Sequence, residues 1–168
     1  MKRTASLILG LLTLSMLGSA LAQQASKHVL NADEVKKVTP SEYFYRGHKG
    51  PVQMRNAVGF ELSSGKMTLA ALVDVSGYAS SVAQKYQGLL ITESKITVGG
   101  SALSPGQYGF GFTADGKFVV TDVADNDVLS VTHETDQNLK NAVPLKLVAD
   151  GEGYKLYAGK KWVAIKAE

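Results

Sequence analysis

His133-Glu134-Thr135-Asp136 sets an imidazole beside two carboxylates, the ingredients of acid–base or metal chemistry. The spacing supports neither. The other histidines, His28 and His48, are remote in sequence, and none of the three stands in an HExxH or His-x-His arrangement that would aim two rings at one ion. Polar residues surround the stretch, so it reads as a solvated connection. Asp122, Asp125, Asn126 and Asp127, in DVADND, form an oxygen cluster of the kind calcium uses. A calcium loop needs oxygen ligands at fixed alternating places, a glycine at the bend and a distal glutamate. Here Leu129 occupies the third ligand position, and the glycine and glutamate are missing, so the cluster reads as a hairpin tip.

Serine and phosphate chemistry lack their frames as well. VSGYASS has no Gly-x-Ser-x-Gly elbow, and YGFGF spaces its glycines by two, as a strand does, rather than as a phosphate loop. Carboxylates such as Glu61 and Asp74 could converge in a β-fold, but nothing selects that pair from others. No catalytic, cofactor-binding or metal-binding residue is assigned, and no cofactor is expected. The reading is of a non-catalytic domain, with a hydrolase whose site one sequence does not display as an alternative.

Aromatic side chains are the remaining signal. Tyr108, Phe110 and Phe112 alternate with Gly109 and Gly111, and such a period-two run belongs to the core, where each large apolar group contributes about 1.5–3 kcal/mol. Two glycines in alternation imply that something lies close against the other face of that strand. Tyr43, Phe44 and Tyr45 are the candidate cover. Those three, with Tyr157 and Trp162 among Lys155, Lys160 and Lys161, are the candidate ligand- or partner-binding residues. The competing account for the last two is a solvated edge whose lysines discourage edge-to-edge pairing.

The N-terminus sets the compartment. Lys2 and Arg3 precede an apolar run from Leu7 to Leu17, and Ala20-Leu21-Ala22 supplies small residues where a signal peptidase reads. Residues 1–22 are therefore expected to be a cleaved signal peptide, with the mature chain starting at Gln23 and exported to the periplasm or the extracellular space. The apolar run is shorter than the 20 or so residues a spanning helix needs, and no later stretch could span a bilayer. There is no cysteine, so disulfides, thiolate metal sites and lipidation at a signal-peptide cysteine are excluded. Without Lys2 and Arg3 the 18 basic residues become 16 against 15 acidic ones, a net charge of +1, which argues against nucleic acid as a partner.

These residues must be positioned by strands. Residues 23–38 read as an N-terminal extension, in which Asn31 and Glu34 offer a helix start. Residues 39–168 read as one β-domain. Thr39, Pro40 and Glu42 form a capping pattern that predicts a short helix carrying Tyr43, Phe44 and Tyr45 and stopped by Gly47. A two-residue Ser64-Gly65 turn would pair Leu62 with Met67 and Phe60 with Leu69. ASSVAQKYQG predicts one or two helical turns ending near Gly88. SPGQ fits a type II turn with Gly106 at positive φ. A three-residue loop, Ala114-Asp115-Gly116, would set Phe112 opposite Phe118 and Phe110 opposite Val120. THETDQNLKNAV reads as a polar connection with one helical turn. About ten short strands with glycine-rich turns predict a mainly β chain: a single antiparallel β-sandwich or small β-barrel with one or two short helices.

ITVGGSALSPGQYGFGF resembles a Val-Gly-Gly-x-x-Leu-x-x-Gly-x-Tyr hairpin pattern in secreted bacterial β-proteins of unknown function. The resemblance covers under a fifth of the chain and implies the β-fold alone, with no catalytic residues to carry over. The function expected is that of a secreted binding domain or envelope structural module, its partner a protein, a glycan or a small apolar ligand. The alternative, a lipocalin-like carrier, requires an internal apolar pocket.

Overall fold

The computed structural model describes residues 28–168. The expected signal peptide, its cleavage point and the polar start at Gln23–Lys27 lie outside the described residues. The elements run β1 (His28–Val29), α1 (Ala32–Val38), β2 (Glu42–Tyr45), β3 (His48–Glu61), β4 (Met67–Val73), α2 (Ser80–Lys85), β5 (Gly88–Thr92) and β6 (Ile96–Val98). There follow β7 (Ser101–Leu103), β8 (Gly106–Phe112), β9 (Lys117–Thr121), β10 (Asp127–Thr132), β11 (Glu134–Thr135), β12 (Val143–Asp150), β13 (Gly153–Gly159) and β14 (Lys161–Ala167). No described helix is long and apolar enough to cross a membrane.

Two antiparallel sheets form. The larger has eight strands in the order β1-β3-β4-β5-β8-β9-β10, with β2 added beside β3. The smaller has six, β12-β13-β14-β6-β7, with β11 beside β14. The ladders stay within each sheet, so the architecture is a β-sandwich rather than a closed barrel. Between the sheets, Phe60, Leu90, Phe110, Phe118 and Val120 of the larger meet Ile96, Val98, Tyr154, Leu156 and Ile165 of the smaller, all buried. Phe60 stacks on Tyr154 across the gap with ring centroids 4.0 Å apart.

The β8–β9 hairpin takes the expected register. Phe112 lies opposite Phe118 and Phe110 opposite Val120, with Gly116 at φ 84° in the loop. The same three-residue device joins β3 to β4, where a two-residue turn was expected. Leu62 N–H donates to Lys66 O, Gly65 has φ 78°, and the register becomes Phe60 opposite Thr68 and Glu61 opposite Met67. That one-residue difference decides faces, since side chains alternate along a strand. Phe60 enters the inter-sheet core, while Leu69, now opposite Gly59, packs on the outer face against Leu30 and Val35.

Three other local expectations change. Thr39 does not open a helix but closes α1, its hydroxyl donating to Val35 O at 2.7 Å. The capping box of Asn31 and Glu34 starts that helix earlier, and Pro40 disfavours helical backbone at the residue before it. Glu42-Tyr43-Phe44-Tyr45 then extends as β2, as its three consecutive aromatics favour, with Tyr43 and Tyr45 buried and Phe44 exposed. Gly106 is not a positive-φ turn residue; it opens β8, and its bare backbone leaves room for the Tyr108 ring, whose hydroxyl donates to Ser104 O at 3.0 Å. Nor does the connection after Thr132 contain a helix. It forms β11 and then turns.

The outer face of the larger sheet is covered. Gly109 lies under the Tyr86 ring and Gly111 under the backbone of Gln84 and Lys85. The cover is therefore α2 and the residue following it, not the Tyr43–Tyr45 segment itself. That segment forms the next shell: Tyr45 packs on Tyr86 with centroids 3.5 Å apart, and the Tyr43 and Tyr86 hydroxyls share a hydrogen bond of 2.9 Å.

Candidate functional site: a groove walled by Trp162

The five aromatic candidates separate. Tyr43 and Tyr45 are only 1% and 3% exposed, inside the cover of the larger sheet. Burial raises both phenol pKa values. Phe44, on the opposite side of β2, is 51% exposed, with the Lys49 ammonium 5.2 Å from its ring centre. Tyr157 and Trp162 come together on the far side of the molecule, directly paired across β13 and β14 on the outer face of the smaller sheet.

Alternation explains that placement. Tyr154, Leu156, Val163 and Ile165 point inward, so Lys155, Tyr157, Trp162 and Ala164 point outward. The Tyr157 and Trp162 rings lie 6.3 Å apart at 35°. Lys155 reaches back over Trp162, its ammonium 4.5 Å from the ring centre, in a cation–π contact. Asp150 holds that ammonium at 3.1 Å and raises its pKa. Tyr157 donates to Asp136 Oδ2 at 3.2 Å; partial burial and then the Asp136 carboxylate raise the phenol pKa. Trp162 is thus fixed from behind.

In front of it runs a groove of about 550 Å³, lined by Trp162, Lys117, Ser130, Thr132 and Glu134, with Gly99, Val131 and Ala164 among the remaining residues. Its position follows from the topology. β11 pairs with β14 only at Lys161 and Trp162, and β6 only from Ile165 onward, so the edge of β14 between them carries no partner strand. β10, at the edge of the larger sheet, brings Ser130 and Thr132 alongside that gap. Val131 packs close to the bare backbone of Gly99. The lining therefore offers a hydroxyl pair, an ammonium and a carboxylate around one indole.

No family model, curated protein or solved structure matches this chain.

The other chemical candidates are placed as follows. Asp122 Oδ1 accepts from the amides of Ala124 and Asn126, both at 2.9 Å, and its Oδ2 from the Asn126 side chain at 2.8 Å. Asp125 pairs with Arg46 and Asp127 with Lys85, so protein donors engage each carboxylate of the acidic tip. Among the described residues no three His, Asp or Glu side chains converge as metal ligands. His133 leans on Phe112, ring centres 5.7 Å apart, with Nδ1 3.3 Å from Glu134 O.

A second concavity was invisible in the sequence. Six residues of β3, from Val52 to Ala57, match only three of β4, from Val73 to Ala71, so β3 bulges. At that end of the sandwich an open cleft of about 370 Å³ lies between the sheets. Leu72, Val75, Phe112, Pro144 and Ala158 line it, with Gln53, Gln87 and Lys161 as its polar side chains.

Proposed function

We propose that this chain is an exported, non-catalytic β-sandwich domain that binds a glycan in the groove walled by Trp162. The single observation that carries the reading is the groove's composition: one immobilised indole beside Lys117, Ser130, Thr132 and Glu134. A sugar ring presents an apolar C–H face and a rim of hydroxyls that both donate and accept. The indole suits the first, and the mixed set of hydroxyl, ammonium and carboxylate suits the second. Charges of both signs favour a hydroxyl-rich ligand over a strongly ionic one. The large side chains between the sheets also weigh for a surface-binding domain over a carrier loaded through its interior.

Trp162 is the single tryptophan of the chain, so its fluorescence reports on this groove. Titration with soluble oligosaccharides of several backbone types is expected to give a saturable emission change for at least one. Glu134→Gln and Thr132→Val are expected to weaken that binding several-fold. The reading fails if no oligosaccharide in the set changes the emission, or if both variants bind as the parent does. Export is checked separately: N-terminal sequencing of protein recovered outside the cytoplasm should begin at Gln23, and material retaining Met1 to Ala22 would contradict it.

A further inference from the structure

The cleft at the end of the sandwich is separate from the Trp162 groove and draws on different residues. Its walls are apolar, from Leu72 and Phe112 of the larger sheet and Val75 just beyond β4 to Pro144 and Ala158 of the smaller. Its volume of about 370 Å³ falls within the range of small-molecule sites.

The polar groups are held in place rather than free to rotate. Gln87 clamps the end of β8: its Oε1 accepts from Phe112 N–H at 3.1 Å, and its Nε2 donates to Phe112 O at 3.1 Å and to Gln84 O at 3.3 Å. Lys161 projects from the inner face of β14 into the same corner. Its ammonium donates to Thr113 O at 3.2 Å and Phe112 O at 3.4 Å. Two carbonyls use two of the three N–H groups and neutralise none of the charge. No carboxylate among the described residues forms an ion pair with Lys161, and no acidic side chain lines the cleft. Asp74 lies in the adjoining hollow along the bulge, where Arg55 also lies.

A half-buried ammonium at the rim of an apolar slot, with a donor to spare and no counter-charge, suits one chemistry. We propose that this cleft binds a small amphipathic anion, its hydrocarbon part against Leu72, Val75, Phe112 and Ala158 and its carboxylate on Lys161 Nζ. The carboxylate supplies the missing counter-charge through a charge-assisted hydrogen bond. The apolar walls exclude water from the rest of the molecule.

Three eight-carbon probes test this: octanoate, octan-1-ol and octylammonium, each titrated into the full mature protein while methyl NMR signals are followed. Octanoate is expected to shift the Leu72, Val75 and Ala158 methyls saturably. Octan-1-ol should bind at least about ten-fold more weakly, as loss of a charge-assisted contact implies, and octylammonium should not bind. Lys161→Gln should erase the preference for octanoate, and Lys161→Arg should keep it. Ala158→Leu should block the site for octanoate and octan-1-ol alike. Equal affinity for octanoate and octan-1-ol overturns the proposal, as does absence of saturable shifts at those methyls, or a preference that survives in a folded Lys161→Gln protein. Trp162 emission should not change with octanoate, so this result and the glycan result stand or fall apart.

Discussion

Arg46 and Asp125, the two described non-glycine residues with left-handed backbone, at φ 45° and 74°, form an ion pair of 3.2 Å with each other. Arg46 N–H also donates to Val123 O at 3.0 Å. The β2–β3 turn is thereby fastened to the β9–β10 turn, and Lys85 of α2 joins the same corner through Asp127 at 2.8 Å. The two turns and α2 are thus tied together beside Tyr45 and Tyr86. Each turn therefore carries left-handed backbone at a non-glycine residue while making this contact.

Magnitudes decide what Arg46→Asn does. Left-handed backbone costs a residue such as arginine about 1–2 kcal/mol, and asparagine is favoured at the first central position of a tight hairpin turn. The lost ion pair is largely exposed and contributes about 0–1 kcal/mol. Arg46→Asn is therefore expected to be neutral or to stabilise by up to about 1 kcal/mol in urea denaturation. A loss larger than that would mean the corner contact stabilises the cover far more than its exposure implies.

Gly109 and Gly111 test the cover directly. A Cβ on Gly109 would come within 2.5 Å of the Tyr86 ring, and one on Gly111 within 2.1 Å of the Gln84 carbonyl oxygen. A ring at the end of a side chain can shift, whereas a backbone carbonyl moves only if α2 lifts. Gly109→Val and Gly111→Val should each destabilise by about 1–3 kcal/mol, with Gly111 the more costly. Valine favours strands, so neutral or stabilised variants would mean α2 does not sit on this face in solution.

Legibility followed locality. The β8–β9 hairpin could be read because Asp115-Gly116 and the alternating aromatics lie within one stretch and agree. The stretch from Thr39 to Tyr45 holds two conflicting signals, a capping pattern and a run of three aromatics that favours a strand. The conflict was settled by α1, which had already used Thr39 to end itself. The bulge in β3 left only a faint mark. Val52 and Met54 pack on the outer face and Val58 and Phe60 on the inner, and Asn56 is the single break in their even-numbered apolar run. One polar residue does not by itself specify a change of face, so the cleft beside it was not foreseen. Tyr157 and Trp162 could be singled out by type, but the groove before Trp162 depends on β10 and on the gap between β6 and β11, contacts distant in sequence.

Asp122 sets a pH dependence. Its bonds from Asn126, side chain first and then amide, with a further amide from Ala124, hold the carboxyl below its usual pKa in the folded protein. A group whose folded pKa is depressed contributes stability above its unfolded pKa, about 3.9, and loses it as pH falls through the folded value. Asp122→Ala should thus be less stable than the parent at pH 6. The gap should narrow below about pH 4. Chemical denaturation of both proteins from pH 6 to pH 2 checks this, and a gap independent of pH would show that the turn does not depend on the ionised carboxylate.

The Tyr43–Tyr86 hydroxyl pair offers the sharpest test of the cover's interior. Both rings are buried, and the oxygens are 2.9 Å apart. Burial first, and then the partner hydroxyl, raises the Tyr86 phenol pKa, so the pair is neutral at ordinary pH. Removing one hydroxyl strands the other without water, at a cost of about 1–3 kcal/mol. Removing both leaves two phenylalanines of nearly the same shape, which can be close to neutral. Tyr86→Phe alone is therefore expected to destabilise by about 1–3 kcal/mol, and the Tyr43→Phe/Tyr86→Phe double variant by less than that single change. Additive losses in this double-mutant cycle would show that the two hydroxyls do not depend on each other, and that β2 is not docked on Tyr86 as described.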